Sequence, residues 1–167
     1  MRGWLDLGPH VGKLLGQADG VAWVVQAALG GVAVDWRLRV GAWDLVRGRL
    51  LATPVRSEDR TIRMGRGRPF AGGLCWDPGA GEVLVLDLEG VRWRVPGELL
   101  DARGERVAVR DGADVVLYDP DGACVARLPG GEAVVGEASV LVWQAGEARW
   151  YGLDGEPGRV AEGEGVG

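Results

Sequence analysis

Along residues 32 to 40, Val32, Val34, Trp36, Leu38 and Val40 alternate with Ala33, Asp35, Arg37 and Arg39. A period of two over nine positions predicts a strand with one apolar and one wet face. Further along, Glu98–Ala102, Arg106–Arg110, Asp114–Asp119 and Ala123–Leu128 read as four short strands. They are joined by the turns Arg103-Gly104-Glu105, Asp111-Gly112-Ala113 and Pro120-Asp121-Gly122. The pattern continues as Glu132–Val135, Ser139–Trp143, Ala148–Tyr151 and Gly158–Val160, and it is preceded by Cys75-Trp76, Glu82–Asp87 and Val91–Gly97. Val-rich runs punctuated by Gly and Asp are strand and turn signals, and no helical period is sustained beyond about residue 30.

These segments repeat. The turn before the last strand of each unit falls at Gly90, Gly122 and Gly155, at spacings of 32 and 33 residues. Stepping back by the same period reaches Glu58-Asp59 and then Gly30-Gly31, and Leu14–Gly20 echoes Leu99–Gly104. The expectation is an all-β chain of about five quasi-repeats of about 33 residues, each a four-stranded antiparallel unit. Val115–Gly122 followed by Val125–Gly130, and Val83–Gly90 followed by Trp93–Gly97, resemble blades of the PQQ-, NHL- and WD40-like β-propeller families. That resemblance implies a small β-propeller or propeller-like meander; a β-sandwich or partly open barrel is the alternative. The Gly-His pair of WD40 blades is missing, and Trp43-Asp44 and Trp76-Asp77 do not recur at the end of a fixed strand. The expected organisation is a single domain over 1–161 with a flexible acidic tail over 162–167. In a closed ring, Gly3–Leu7 would pair beside the short last strand Gly158–Ala161.

Composition narrows the chemistry. Glycine fills 30 of 167 positions, yet there is one His (His10), two Ser (Ser57, Ser139), two Thr (Thr53, Thr61), two Cys (Cys75, Cys124), one Lys (Lys13) and no Asn. No Gly-x-Ser-x-Gly and no P-loop pattern occurs, and three scattered Cys and His positions do not make a structural zinc site. The cysteines read as reduced, buried small hydrophobes, and His10 as a surface residue. The best apolar stretch, Gly20–Val34, is too short to cross a bilayer as a helix, so a soluble, cytoplasmic protein is expected. No cofactor and no metal are expected. Carboxylate chemistry of the glycosidase kind stays open, since nothing selects two of the 24 acidic residues.

Charge is unevenly spread: residues 1–70 hold eleven Lys and Arg against six Asp and Glu, and residues 71–167 hold eight against eighteen. Such a split can steer a partner. Within it, Arg56, Arg60, Arg63, Arg66 and Arg68 form a basic run, and Arg66-Gly67-Arg68-Pro69 matches the core of the AT-hook, whose arginines enter the narrow minor groove. The other reading of the run is a solvated loop or a patch for an acidic protein. Most of the eight Trp read as core. Trp43 and Trp76, each followed by Asp in a turn, are the candidates for an exposed binding role. Asp87/Glu89 and Asp119/Asp121 could suggest calcium, but no third carboxylate follows, and local turn chemistry accounts for them.

The function expected is a non-catalytic protein–protein interaction module or scaffold subunit of a larger complex, with an operon-encoded protein as partner and no membrane partner. A carbohydrate-binding or glycosidase-like domain is the first alternative, and nucleic-acid binding through Arg56–Arg68 the second. Oligomeric state is not fixed by the sequence.

Overall fold

The structure, a computed structural model, describes residues 10–29, 34–59 and 62–158. Every regular element in them is a β-strand, so the all-β expectation holds. The chain divides into two compact units, Met1–Pro96 and Gly97–Gly167.

The first unit contains two antiparallel four-stranded sheets. The first sheet is β1 (His10–Ala18), β2 (Val21–Ala28), β3 (Leu38–Asp44) and β4 (Arg49–Ser57), paired in sequence order. The second is β5 (Arg66–Phe70), β6 (Gly73–Asp77), β7 (Glu82–Asp87) and β8 (Gly90–Pro96), also in order. Their core comprises Leu15, Trp23, Val25, Leu38, Val40, Leu74, Trp76, Leu84 and Leu86. Close approach of β1 and β5 depends on Gly67: a Cβ there would lie 3.0 Å from Leu15 Cβ and 3.1 Å from the Cys75 carbonyl.

The second unit contains the third sheet, β9 (Glu98–Arg103), β10 (Arg106–Asp111), β11 (Asp114–Tyr118) and β12 (Cys124–Pro129). Its fourth sheet has β13 (Glu132–Val135), β14 (Ser139–Gln144) and β15 (Glu147–Gly152). Ala108, Val115, Leu117, Leu128, Ala133, Val135, Val140, Val142 and Tyr151 form the core. Asp101 Oδ2 accepts the Val135 amide at 2.8 Å, and Arg110 bridges Glu98 (2.7 Å) and Glu132 (3.2 Å), tying the two sheets. After β15 the chain turns back, with Tyr151 bridging Pro157 and the Gly158 amide donating to the Trp150 carbonyl. The expected last strand starts there; residues 159–161, the expected N-terminal partner Gly3–Leu7 and the tail 162–167 lie outside the described residues.

Several expectations need correction in detail. The described residues form four sheets rather than five units, because β1, β2 and β4 run eight or nine residues each and one sheet absorbs residues 10–57. The strand expected over Val32–Val40 begins at Leu38, and residues 30–33 are not described. Trp36 is buried but does not join Leu38 and Val40 in the core. Its ring lies 4.5 Å from the Arg39 guanidinium and edge-on to His10 at 4.9 Å, so His10 is half-buried rather than a surface residue. Cys75 is buried as expected, whereas Cys124, the first residue of edge strand β12, is exposed. A bulge between Val85 and Leu86 pairs Val85 with Trp93 and Leu86 with Val91. Val91 and Trp93 therefore face opposite sides of the sheet, against the simple alternation.

Candidate interaction cleft

The outer strand of the first sheet, β4, and the outer strand of the second, β8, flank a cleft of about 500 Å³. Its apolar lining includes Val55, Ile62, Trp76, Leu84 and Val91. Its polar lining is Arg56, Ser57, Asp59, Glu82 and Arg94. Local sequence explains the placement. Alternation along β7 sends Glu82 and Leu84 to one side, and the β8 bulge brings Val91 to the side of Arg94. Pro54 lies on edge strand β4, where a missing N–H costs no ladder bond.

Two loose, solvent-exposed ion pairs involve the rim: Arg94 with Glu82 at 3.8 Å and Arg56 with Asp35 at 3.7 Å. Pairs of this length and exposure contribute little to stability, so an incoming charge can replace either partner at small cost. Behind Arg56, directly opposite on β3, sits Arg39, whose Nε donates to Gln26 Oε1 at 2.9 Å. Burial chiefly, then the Arg56 guanidinium, lowers the Arg39 pKa, and Asp35 opposes the shift. The cleft thus combines an apolar floor with two guanidinium and two carboxylate groups. That suits an extended chain with an apolar side chain between polar neighbours.

The structure disperses the basic run. Arg56 lines the cleft, and the exposed Arg63 is anchored beside it through its amide to the Pro78 carbonyl at 2.9 Å. Arg60 lies outside the described residues. Arg66 and Arg68 stand on β5, at the opposite edge of the second sheet from β8, and both have side-chain or electrostatic partners. Arg66–Pro69 is therefore neither a loop nor the free extended segment a hook requires: its backbone is paired with β6, and Gly67 is packed.

Trp76 is core. It is 1 % exposed, and its Nε1 donates to the Met64 carbonyl at 2.9 Å, so it offers no face for stacking on a ligand. Trp43 is half-buried on β3, on the side of the first sheet away from the core, with Nε1 buried and without an acceptor among the described residues. The aspartates following these tryptophans do start turns. Asp44 Oδ1 accepts the Val46 and Arg47 amides (2.9 and 3.0 Å), and Asp77 Oδ1 accepts the Gly79 amide (2.8 Å). The Arg47 amide bond, above all, holds the Asp44 carboxyl below its ordinary value. Asp87 and Asp119 likewise accept local amides. Among the described residues, no group of three His, Cys, Asp or Glu could hold a metal ion, and no helix is long and apolar enough to cross a membrane.

Most cleft residues were not singled out in the sequence. Val55, Ile62, Glu82, Leu84 and Arg94 come from distant segments, brought together by the pairing of β7 with β8 and the approach of β8 to β4.

Comparison with solved structures supports the architecture. The chain is similar to BamB from Moraxella catarrhalis at 13% identity and a TM-score of 0.59, over 86% of this chain and 50% of that one. It is also similar to KlHsv2 with loop 6CD replaced by a Gly-Ser linker, at 10% identity and a TM-score of 0.54, over 89% and 51%. The chain spans about half the length of these solved chains. No family model matches it, and no curated protein matches it. At such identities the likeness is one of fold, and the fold is propeller-like.

Proposed function

We propose that this chain is a non-catalytic protein-interaction module of the PQQ/WD40-like propeller kind, and that the cleft between β4 and β8 receives an extended segment of a partner protein. The observation that carries this reading is the cleft's composition: an apolar floor of Val55, Ile62, Leu84 and Val91 beneath Arg56, Arg94, Asp59 and Glu82. An extended segment that places one apolar side chain on the floor and a carboxylate against Arg56 or Arg94 satisfies both parts. Burying such a side chain is worth about 1.5–3 kcal/mol, and the charges fix register more than they add affinity.

Panning random peptides displayed on phage against the purified chain tests this. The expected winners carry an aliphatic or aromatic residue next to Asp or Glu. They lose at least tenfold in affinity for the double variant Arg56→Glu with Arg94→Glu, whose far-UV spectrum is unchanged. Winners that bind the double variant equally well contradict the reading.

A further inference from the structure

In the first sheet, Gln26, Arg39 and Arg56 lie directly opposite one another across β2, β3 and β4, on the face turned away from Leu38 and Val40. Gln26 is wholly buried, and its Oε1 accepts the Arg39 Nε–H at 2.9 Å. The Trp36 ring, braced edge-on by His10 at 4.9 Å, lies 4.5 Å from the same guanidinium. A hydrogen bond from β2 and a ring from the segment before β3 therefore fix the orientation of one arginine head. An arginine held through Nε keeps both terminal nitrogens as donors, and those of Arg39 have no acceptor among the described residues.

Arg56 stands directly across from Arg39, and like charges in facing positions destabilise a sheet. Among the described residues the two guanidinium groups share one carboxylate, Asp35. It lies 3.7 Å from Arg56, too far for a hydrogen bond, and its side chain is 80% exposed. Two positive charges thus face one negative charge, which can turn into water at little cost. Burial first, and the Arg56 charge second, lower the Arg39 pKa, in keeping with that imbalance. A tetrahedral oxyanion relieves it: two of its oxygens accept the paired terminal nitrogens of Arg39, and a third accepts from Arg56. We propose that Arg39 and Arg56 bind a phosphate group, free or esterified on a partner, with Gln26 and Trp36 as positioning residues and Asp35 as the group displaced. This site stands apart from the cleft reading, since it uses no apolar floor and only Arg56 is common to both.

Titrating inorganic phosphate into the isotope-labelled 167-residue chain tests the proposal, with sodium chloride holding the ionic strength constant. The side-chain N–H resonances of Arg39 and Arg56 should shift together and saturate with a millimolar dissociation constant. Arg39→Gln and Arg56→Gln should each weaken binding by about tenfold or more. Asp35→Asn removes the competing carboxylate and should tighten binding by about threefold or more, a gain that damage to the sheet does not produce. A phosphoserine peptide separates the two sources: tighter binding than inorganic phosphate assigns the site to an ester on a partner, and equal or weaker binding to the free ion. Each of three results overturns the proposal: no saturable shift of the two arginines, acetate binding as tightly as phosphate, or no tightening in Asp35→Asn.

Discussion

Replacing Trp76 and Trp43 separately by Phe distinguishes a core tryptophan from one at a sheet face. Trp76 Nε1 donates to the Met64 carbonyl at 2.9 Å, and the side chain is almost fully buried in the first unit's core. Trp76→Phe removes that hydrogen bond and leaves the carbonyl without its donor, costing about 1 kcal/mol. It also removes roughly 40 Å² of buried apolar ring, worth about 1 kcal/mol, and leaves a small cavity. The total is about 2–3 kcal/mol, or a lowering of Tm by about 5–10 °C for a chain of this size. Trp43 is half-buried, with an indole N–H that lacks an acceptor among the described residues. Trp43→Phe removes a buried donor that has no acceptor among the described residues, a gain that offsets the ring area it loses, so its effect is expected within about 0.5 kcal/mol of zero. Urea unfolding followed by far-UV circular dichroism measures both; indole fluorescence would mix eight tryptophans. The reasoning fails if the two variants cost the same, or if Trp76→Phe costs less than about 0.5 kcal/mol.

Thiol titration of the folded chain with Ellman's reagent should show one fast group, Cys124. Burial pushes the Cys75 thiol pKa well up, so Cys75 reacts only after unfolding, and two fast thiols would contradict this. Gly73→Ala should destabilise the chain by about 3 kcal/mol or more in the same urea assay, because a Cβ there would clash with the Leu86 carbonyl across the β6–β7 ladder. The folded-state pKa of Asp44 is lowered, so its stabilising contribution is present above its unfolded value and fades as pH falls below about 4 toward the folded value. Asp44→Asn should make stability less dependent on pH across that window, and parallel curves for variant and wild type would refute the assignment.

The legible part of the fold was the part built from short strands and tight turns. Between Glu98 and Tyr151 the expected strands match the observed ones to within a residue or so, because each turn carries Gly or Asp and each strand is six residues or fewer. The first 57 residues misled because their strands are long, and because bulges at Leu14/Gly16 and around Ala42 break the alternation. Strand β5 went unrecognised: Arg66-Gly67-Arg68-Pro69 has no apolar alternation, and a Pro and a Gly are tolerated because it is an edge strand packed close to β1. The candidate site was less legible than the fold. Arg56 was singled out for its charge, but its partners in the cleft arise from a bulge on β8 and from the meeting of two outer strands, which no local pattern encodes. The tryptophan candidates divided by environment: both precede turn-forming aspartates, yet Trp76 lies inside the core and Trp43 outside it.

The proposal that the β4–β8 cleft receives an extended segment is tested most directly by titrating a peptide selected by panning into isotope-labelled chain and following amide and indole resonances. The account predicts that the Trp76 indole and the amides of Val55, Ile62, Leu84 and Val91 shift together with one dissociation constant, while those of Arg66–Phe70 stay fixed. Shifts centred on β5, with the Trp76 indole unmoved at saturation, would contradict it.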